Sequence, residues 1–181
     1  IILTNMTARC PYINSCGGCQ TQHIPYQEQL QTKKETLEML FGQEVSILGQ
    51  ETPYNYRNRM DFVITKDKLG LKASFKSVTD IPRCEILIEP LNALLTKVRT
   101  WVNDHNLEGC TPGTFDGFLR FVMLRGDQHQ QQVTLTTTSD ENEELIQLLA
   151  DNLNIESLVW TIENQQSEES VEGSWSACLL V

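Results

Sequence analysis

The chain has 181 residues, 40% of them hydrophobic, with 24 acidic against 14 basic side chains and a net charge of −10. That length and balance support one sizeable core or two small ones, and no run approaches the roughly 20 apolar residues of a membrane span. Ile1-Ile2-Leu3 is followed at once by Asn5, Thr7 and Arg9, too polar for a signal peptide, so a cytoplasmic, reducing setting is expected.

The acidity argues against a nucleic-acid partner until its distribution is read. All the basic residues lie at or before Arg125, where they outnumber the acidic ones by one; the rest of the chain carries only acidic charge. Arg57 to Arg83 is locally basic. Charge alone also fits a solvated hairpin face there.

In chain order, the first chemistry-bearing stretch is Cys10-Pro-Tyr-Ile-Asn-Ser-Cys16-Gly-Gly-Cys19, spaced C-x5-C-x2-C, with a remote fourth thiol at Cys84. Gly17 and Gly18 suit a tight backbone that calls for positive φ. Four thiolates fit a [4Fe–4S] cluster or a structural zinc, and disulfides such as Cys16–Cys19 or unrelated buried thiols are the bland alternative. Three clustered ligands and one distant one favour iron–sulfur over zinc, whose sites pair short Cys-x-x-Cys units. Such a centre closes a loop of about 65 residues between Cys19 and Cys84. His23 is read as holding its loop by a hydrogen bond, in preference to ligating metal or touching RNA.

Pro25 suits a helix start, and Tyr26 to Phe41 reads as a helix with Leu30, Leu37, Leu40 and Phe41 on its apolar stripe, stopped by Gly42. Val45 to Leu48 is a candidate short strand. Tyr56 to Thr65 alternates as a strand, turns at Lys66 to Gly70 and returns through Leu71 to Phe75. On that reading Arg57 and Arg59 project in parallel about 7 Å apart, the spacing of successive phosphates, and can grip a nucleic-acid backbone. Leu91, Leu94, Leu95, Val98, Trp101 and Val102 recur at helical spacing across residues 90–106. Phe118 to Arg125 and Gln131 to Thr138 read as strands. Ser139 is a candidate cap for a helix to Leu153 with Leu145, Leu148 and Leu149 inward, and Ile155 to Ile162 reads as a last strand. This order implies an α+β fold, an antiparallel sheet with helices packed on one face. A cysteine-rich cluster-binding segment and helix (1–43) precede the central domain (44–165), and a tail (166–181) ends in the apolar Trp175 to Val181.

Four segments together resemble the RNA 5-methyluridine (uracil-5-)-methyltransferases of the iron–sulfur-containing rRNA and tRNA type. They are Cys10-x5-Cys16-Gly-Gly-Cys19 with Gln22-His23 and Tyr26-x2-Gln29-Leu30-x2-Lys33; Tyr56-Arg57-Asn58-Arg59; Cys84 with Ile86-Leu87; and Leu119-Arg120-Phe121-Val122-x2-Arg125. The resemblance implies a [4Fe–4S] cluster on Cys10, Cys16, Cys19 and Cys84, and ribosomal or transfer RNA as partner. With RNA as partner, phosphate contacts are expected at Arg57 and Arg59 and, less directly, at Lys66, Lys68, Arg120 and Arg125. These enzymes methylate through a Cys thiolate that attacks uracil C6, with the methyl group drawn from S-adenosylmethionine. Their nucleophile lies in a Ser-Cys-Asn-Pro segment and their cofactor binds an Asp-x-Phe-Cys-Gly-x-Gly loop; neither string occurs in this sequence, and Cys110 and Cys178 stand in other contexts. The chain thus resembles the central, cluster-bearing part, with no catalytic residue or S-adenosylmethionine site of its own. The rival readings are a standalone iron–sulfur or zinc RNA-binding module and a redox iron–sulfur protein.

Overall fold

The computed structural model describes residues 8–74, 76–111, 114, 116–153 and 157–163. The apolar end of the expected tail, Trp175 to Val181, and Cys178 within it lie outside the described residues. The elements in order are α1 (Tyr26–Phe41), β1 (Arg59–Thr65), β2 (Lys68–Ser74), β3 (Ser77–Asp80), α2 (Glu89–Asp104), β4 (Leu119–Gly126), β5 (Gln131–Thr137), α3 (Glu143–Leu153) and β6 (Ser157–Ile162).

The six strands form one sheet in the order β3-β2-β1-β4-β5-β6. Every pairing is antiparallel except β5 with β6, which is parallel. The purely antiparallel sheet expected from sequence is therefore corrected at one edge. The cause is α3: a helical crossover lets β6 run alongside β5 in the same direction, which a tight turn does not allow.

Register explains the core. Phe62 lies opposite Val122, Val122 opposite Leu135, and Leu135 opposite Trp160; Met60, Leu124, Val133 and Leu158 make a second such row. All eight are buried. Onto these rows pack Leu91, Leu94, Leu95, Val98 and Trp101 of α2, and Ile146, Leu149, Ala150 and Leu153 of α3, in a single cluster. Full burial of each such side chain contributes about 2 kcal/mol. The buried Trp160 indole donates to the Thr137 hydroxyl at 2.8 Å, so the core keeps that donor satisfied.

Several local expectations change. Helix α3 begins at Glu143 rather than after Ser139, following Asn142 in the left-handed region at φ 66°, and its inward face is Ile146, Leu149, Ala150 and Leu153, with Leu148 exposed. Val45 to Leu48 lies in the connection after α1 and forms no strand. Strand β3 has no signature in the sequence, because four residues with one apolar side chain, Val78, carry no periodicity. Helix α1 buries no residue at all, and Leu40 and Phe41, expected inward, are exposed with Met39. Its side chains bond to the loop before it and the connection after it. Tyr26 accepts a hydrogen bond at its hydroxyl from the Gln50 amide at 3.0 Å, and Glu38 accepts one from the Val45 amide at 3.1 Å. No described helix is long and apolar enough to cross a membrane.

Arg120 is the other departure. The β4–β5 register shifts between Leu119 and Phe121, and such an irregularity re-aims the side chain it carries. Arg120 turns inward and pairs with Glu163 at 2.9 Å, both nearly inaccessible.

Candidate cysteine centre and flanking cavities

The cysteine segment is a run of turns. The amides of Ser15 and Cys16 both donate to the Tyr12 carbonyl, and the Ile13 amide donates to that of Cys10. It docks on the β2–β3 edge of the sheet: the Gly17 amide donates to the Lys72 carbonyl at 3.2 Å, and the Thr79 hydroxyl donates to the Ser15 carbonyl. A Cβ at Gly17 would lie 2.7 Å from the Lys72 oxygen. Close approach, and not the positive φ expected, is thus what requires glycine here; Gly17 and Gly18 are not among the positive-φ glycines.

Cys84 arrives from the far side, in the loop before α2. Asn92, on the first turns of that helix, holds the loop with three hydrogen bonds. Its Oδ1 accepts from the Cys84 amide at 3.0 Å, and its Nδ2 donates to the carbonyls of Cys84 and Leu87 at 3.1 Å each. In the sequence Asn92 is one polar residue of a helix whose apolar stripe is core. The signal that could have found it is a buried-register amide beside Leu91 and Leu95, where a polar side chain persists only with partners. Asn92→Ala is expected to lower the unfolding free energy by about 2–4 kcal/mol, since it strands an amide and two carbonyls in the interior. Urea denaturation checks this, and a change below about 0.5 kcal/mol would show that the loop is held by other means.

Cys10, Cys16, Cys19 and Cys84 line one cavity of about 590 Å³, with Arg57, Met60 and Ile81 among its walls. All four thiols are free, so the disulfide alternative is not the state of this structure. Among the described residues, no three His, Cys, Asp or Glu side chains gather tightly enough to hold a single ion. The sulfurs are already hydrogen-bond acceptors: the Gly18 amide donates to Cys16 Sγ at 3.4 Å, and Gln22 Nε2 donates to Cys19 Sγ at 3.2 Å. Burial pushes the Cys84 thiol up, and the nearby sulfurs of Cys19 and Cys10 push it further. Burial raises Cys10 likewise, with Cys19, Cys16 and Glu85 adding to it against a lowering hydrogen bond from the Tyr12 backbone. Crowded thiols of this kind resist ionising together unless a cation neutralises them. Cys110 stands apart. Burial drives its thiol to about 11, and its Sγ donates to the Gly117 carbonyl at 3.4 Å; it is a neutral, inert thiol near neutral pH.

The Tyr56-Arg57 segment is positioned by the same loop. Asn55 N donates to the Glu85 carbonyl, Tyr56 N and Arg57 N to that of Ile86, and Ile88 N to that of Arg57. Extended backbone alternates its side chains, so Arg57 lines the cysteine cavity while Tyr56 lines a second cavity on the other side. Regular β1 pairing starts at Arg59, and Arg57 Nε donates to the Arg59 carbonyl at 3.3 Å. Arg59 binds Asp61 (3.2 Å) and lies opposite Arg125 across the β1–β4 ladder. Arg57, Arg59 and Arg125 thus meet at one end of the sheet. Lys66 and Lys68 are exposed at the other end of β1, about 20 Å along the strand. Arg120 is withdrawn from the surface altogether. The Gln22-His23 loop is held by Gln29, whose Nε2 donates to the carbonyls of Thr21 and Ile24 at 3.0 and 2.8 Å; His23 is exposed and does not do this work.

No protein-family model matches the sequence. A tRNA (uracil(54)-C(5))-methyltransferase of Pyrococcus furiosus is 28% identical over 177 residues, which is 93% of this chain and 42% of that protein. An uncharacterized RNA methyltransferase of Clostridium tetani is 31% identical over 178 residues, 89% of this chain and 38% of that protein. Its homologues are RNA methyltransferases. The fold agrees: the crystal structure of Pyrococcus abyssi tRNA (uracil-54, C5)-methyltransferase in complex with S-adenosyl-L-homocysteine superposes with a TM-score of 0.76 at 24% identity, over 89% of this chain and 40% of that one. The chain therefore spans about two fifths of the length of the relatives it matches.

Proposed function

We propose that this chain is the RNA-holding, cluster-bearing part of an S-adenosylmethionine-dependent RNA (uracil-5-)-methyltransferase, and that Cys10, Cys16, Cys19 and Cys84 hold a [4Fe–4S] cluster. The observation that carries the reading is the convergence of four thiols, three from the front and one from mid-chain, on one cavity whose wall includes Arg57. A single zinc with bonds of about 2.3 Å needs its sulfurs within about 3.8 Å of one another. A polynuclear cluster fills more space and holds them farther apart, which suits thiols standing around a cavity. When bound, the cluster neutralises the thiolates and ties the N-terminal segment to the sheet. The amides of Gly18 and Gln22 then supply hydrogen bonds to its ligands.

The methyl-transfer residues and the S-adenosylmethionine site are assigned to sequence outside these 181 residues, because neither family motif occurs here. The chain alone is proposed to be inactive. Transfer RNA is favoured as substrate by the names of the Pyrococcus relatives, with ribosomal RNA the alternative. Arg57 is the leading phosphate contact, with Arg59 and Arg125 beside it; Lys66 and Lys68 would touch only an RNA that extends along β1.

RNA binding measured across a salt series tests this. Arg57→Ala is expected to weaken binding about three- to tenfold and to lower the salt slope by about one. Arg59→Ala should do less, since Asp61 already takes part of its charge. Unchanged affinity and slope in both variants would make the pair structural and remove the RNA reading. The anaerobic absorption spectrum tests the metal: a band near 400 nm, roughly where thiolate-to-iron charge transfer falls, supports iron, whereas a colourless protein with one zinc equivalent supports the zinc-module reading.

A further inference from the structure

We propose that the second cavity is a subsite for one unstacked nucleobase, with Tyr56 as its stacking platform. The inference deepens the RNA reading above and rests on it. The cavity holds about 580 Å³ against the cysteine segment and shares Cys19, Gln22 and Ile86 with the cysteine cavity as a common wall. That volume suits a nucleotide-sized ligand.

Three tyrosines line it, and they are not equivalent. The Tyr26 hydroxyl is committed to the Gln50 amide. One face of the Tyr54 ring is covered by the Arg9 guanidinium, 5.0 Å from the ring centre. Tyr56 is 51% exposed, yet its backbone is locked to Ile86. An aromatic ring left open on a rigid segment is preorganised for stacking, which is how proteins take up splayed bases of single-stranded RNA.

Charge agrees with this. In a chain of net charge −10, no Asp or Glu among the described residues lines the cavity, while Lys33 and His23 stand at its wall. The alternation at Tyr56 and Arg57 adds a geometric reason. Adjacent residues of one extended segment face the two cavities, so a strand of RNA crossing this ridge can set a phosphate on Arg57 and a base against Tyr56. The phosphate contact would give affinity without sequence information, and the stacked base would select for an unpaired segment.

The test compares binding of an oligouridine of about ten nucleotides with binding of an abasic oligomer of the same length and charge. Tyr56→Leu is expected to weaken oligouridine binding about tenfold while leaving the abasic affinity and the salt slope unchanged. Tyr56→Phe should bind as the wild type does, since it keeps the ring. Equal losses on both oligomers, or no loss on either, would overturn the subsite. Equal wild-type affinity for the two oligomers would also overturn it and leave the phosphate contacts standing. Failure of the wild-type protein to bind either one would overturn the RNA reading and the subsite with it.

Discussion

Cys84→Ser is expected to reduce the iron bound after anaerobic purification to about a tenth or less of the wild-type content and to remove the visible band, because even groups behind the ligands cost 10–100-fold in metal affinity when lost. It should also loosen the fold. A centre that joins Cys19 to Cys84 removes loop-closure entropy from the unfolded chain, and a covalent link over about 65 residues is worth about 4 kcal/mol by the same reasoning. In a domain of this size that corresponds to a melting temperature lower by about 10 °C. Cys110→Ser is the matched control. Cys110 is buried like Cys84 but lies outside the cysteine cavity, bonded to Gly117, so its replacement should leave colour and iron content untouched. Wild-type iron content in the Cys84 variant would sink the four-thiol centre.

The second large effect concerns the interior ion pair. Arg120 is 8% and Glu163 4% exposed, with 2.9 Å between Nη1 and Oε2. Removing either side chain takes a close counter-ion from a charge that water cannot reach, so Arg120→Ala or Glu163→Ala should each cost about 3–5 kcal/mol in unfolding free energy. Replacing both with leucine should be close to neutral, because desolvating two charges offsets most of their attraction. Urea denaturation of Arg120→Leu, Glu163→Leu and the double leucine variant forms the cycle that measures this. Additive losses would show that the two side chains act independently. The same experiment separates Arg120 from Arg57. Arg120→Ala should alter stability without the drop in salt slope expected of a phosphate contact.

The difference between those two arginines shows what a one-dimensional reading can reach. Both stand in strand-like stretches, and both resemble RNA-contacting positions. Arg57 stays at the surface because its segment pairs with the Cys84 loop. Arg120 does not, because a register shift in β4 turns it towards Glu163, which lies 43 residues later. Nothing local to either residue carries that information. Asn92 and the Tyr56 cavity belong to the same class. Asn92 matters only because the Cys84 backbone comes to it, and Tyr26, Tyr54 and Tyr56 become one wall only once α1 is folded against residues 49–50 and the Tyr56 segment against residues 85–88.

What this sequence determines without help is what recurs at short range. The three- and four-residue apolar spacing of α2 sets that helix within two residues, since one face must be buried. The alternation at Met60, Phe62 and Ile64 sets β1, and the C-x5-C-x2-C spacing sets three thiols within reach of one another. Tertiary structure decides whatever depends on a partner far along the chain: the parallel placing of β6, the exposure of α1, the burial of Arg120, and the place of Cys84 on the wall of the cavity that Cys10, Cys16 and Cys19 also line. The reason is physical. Periodicity records only which face of an element avoids water, whereas pairing direction, charge burial and the closing of a thiol site are set by which distant surface covers that face.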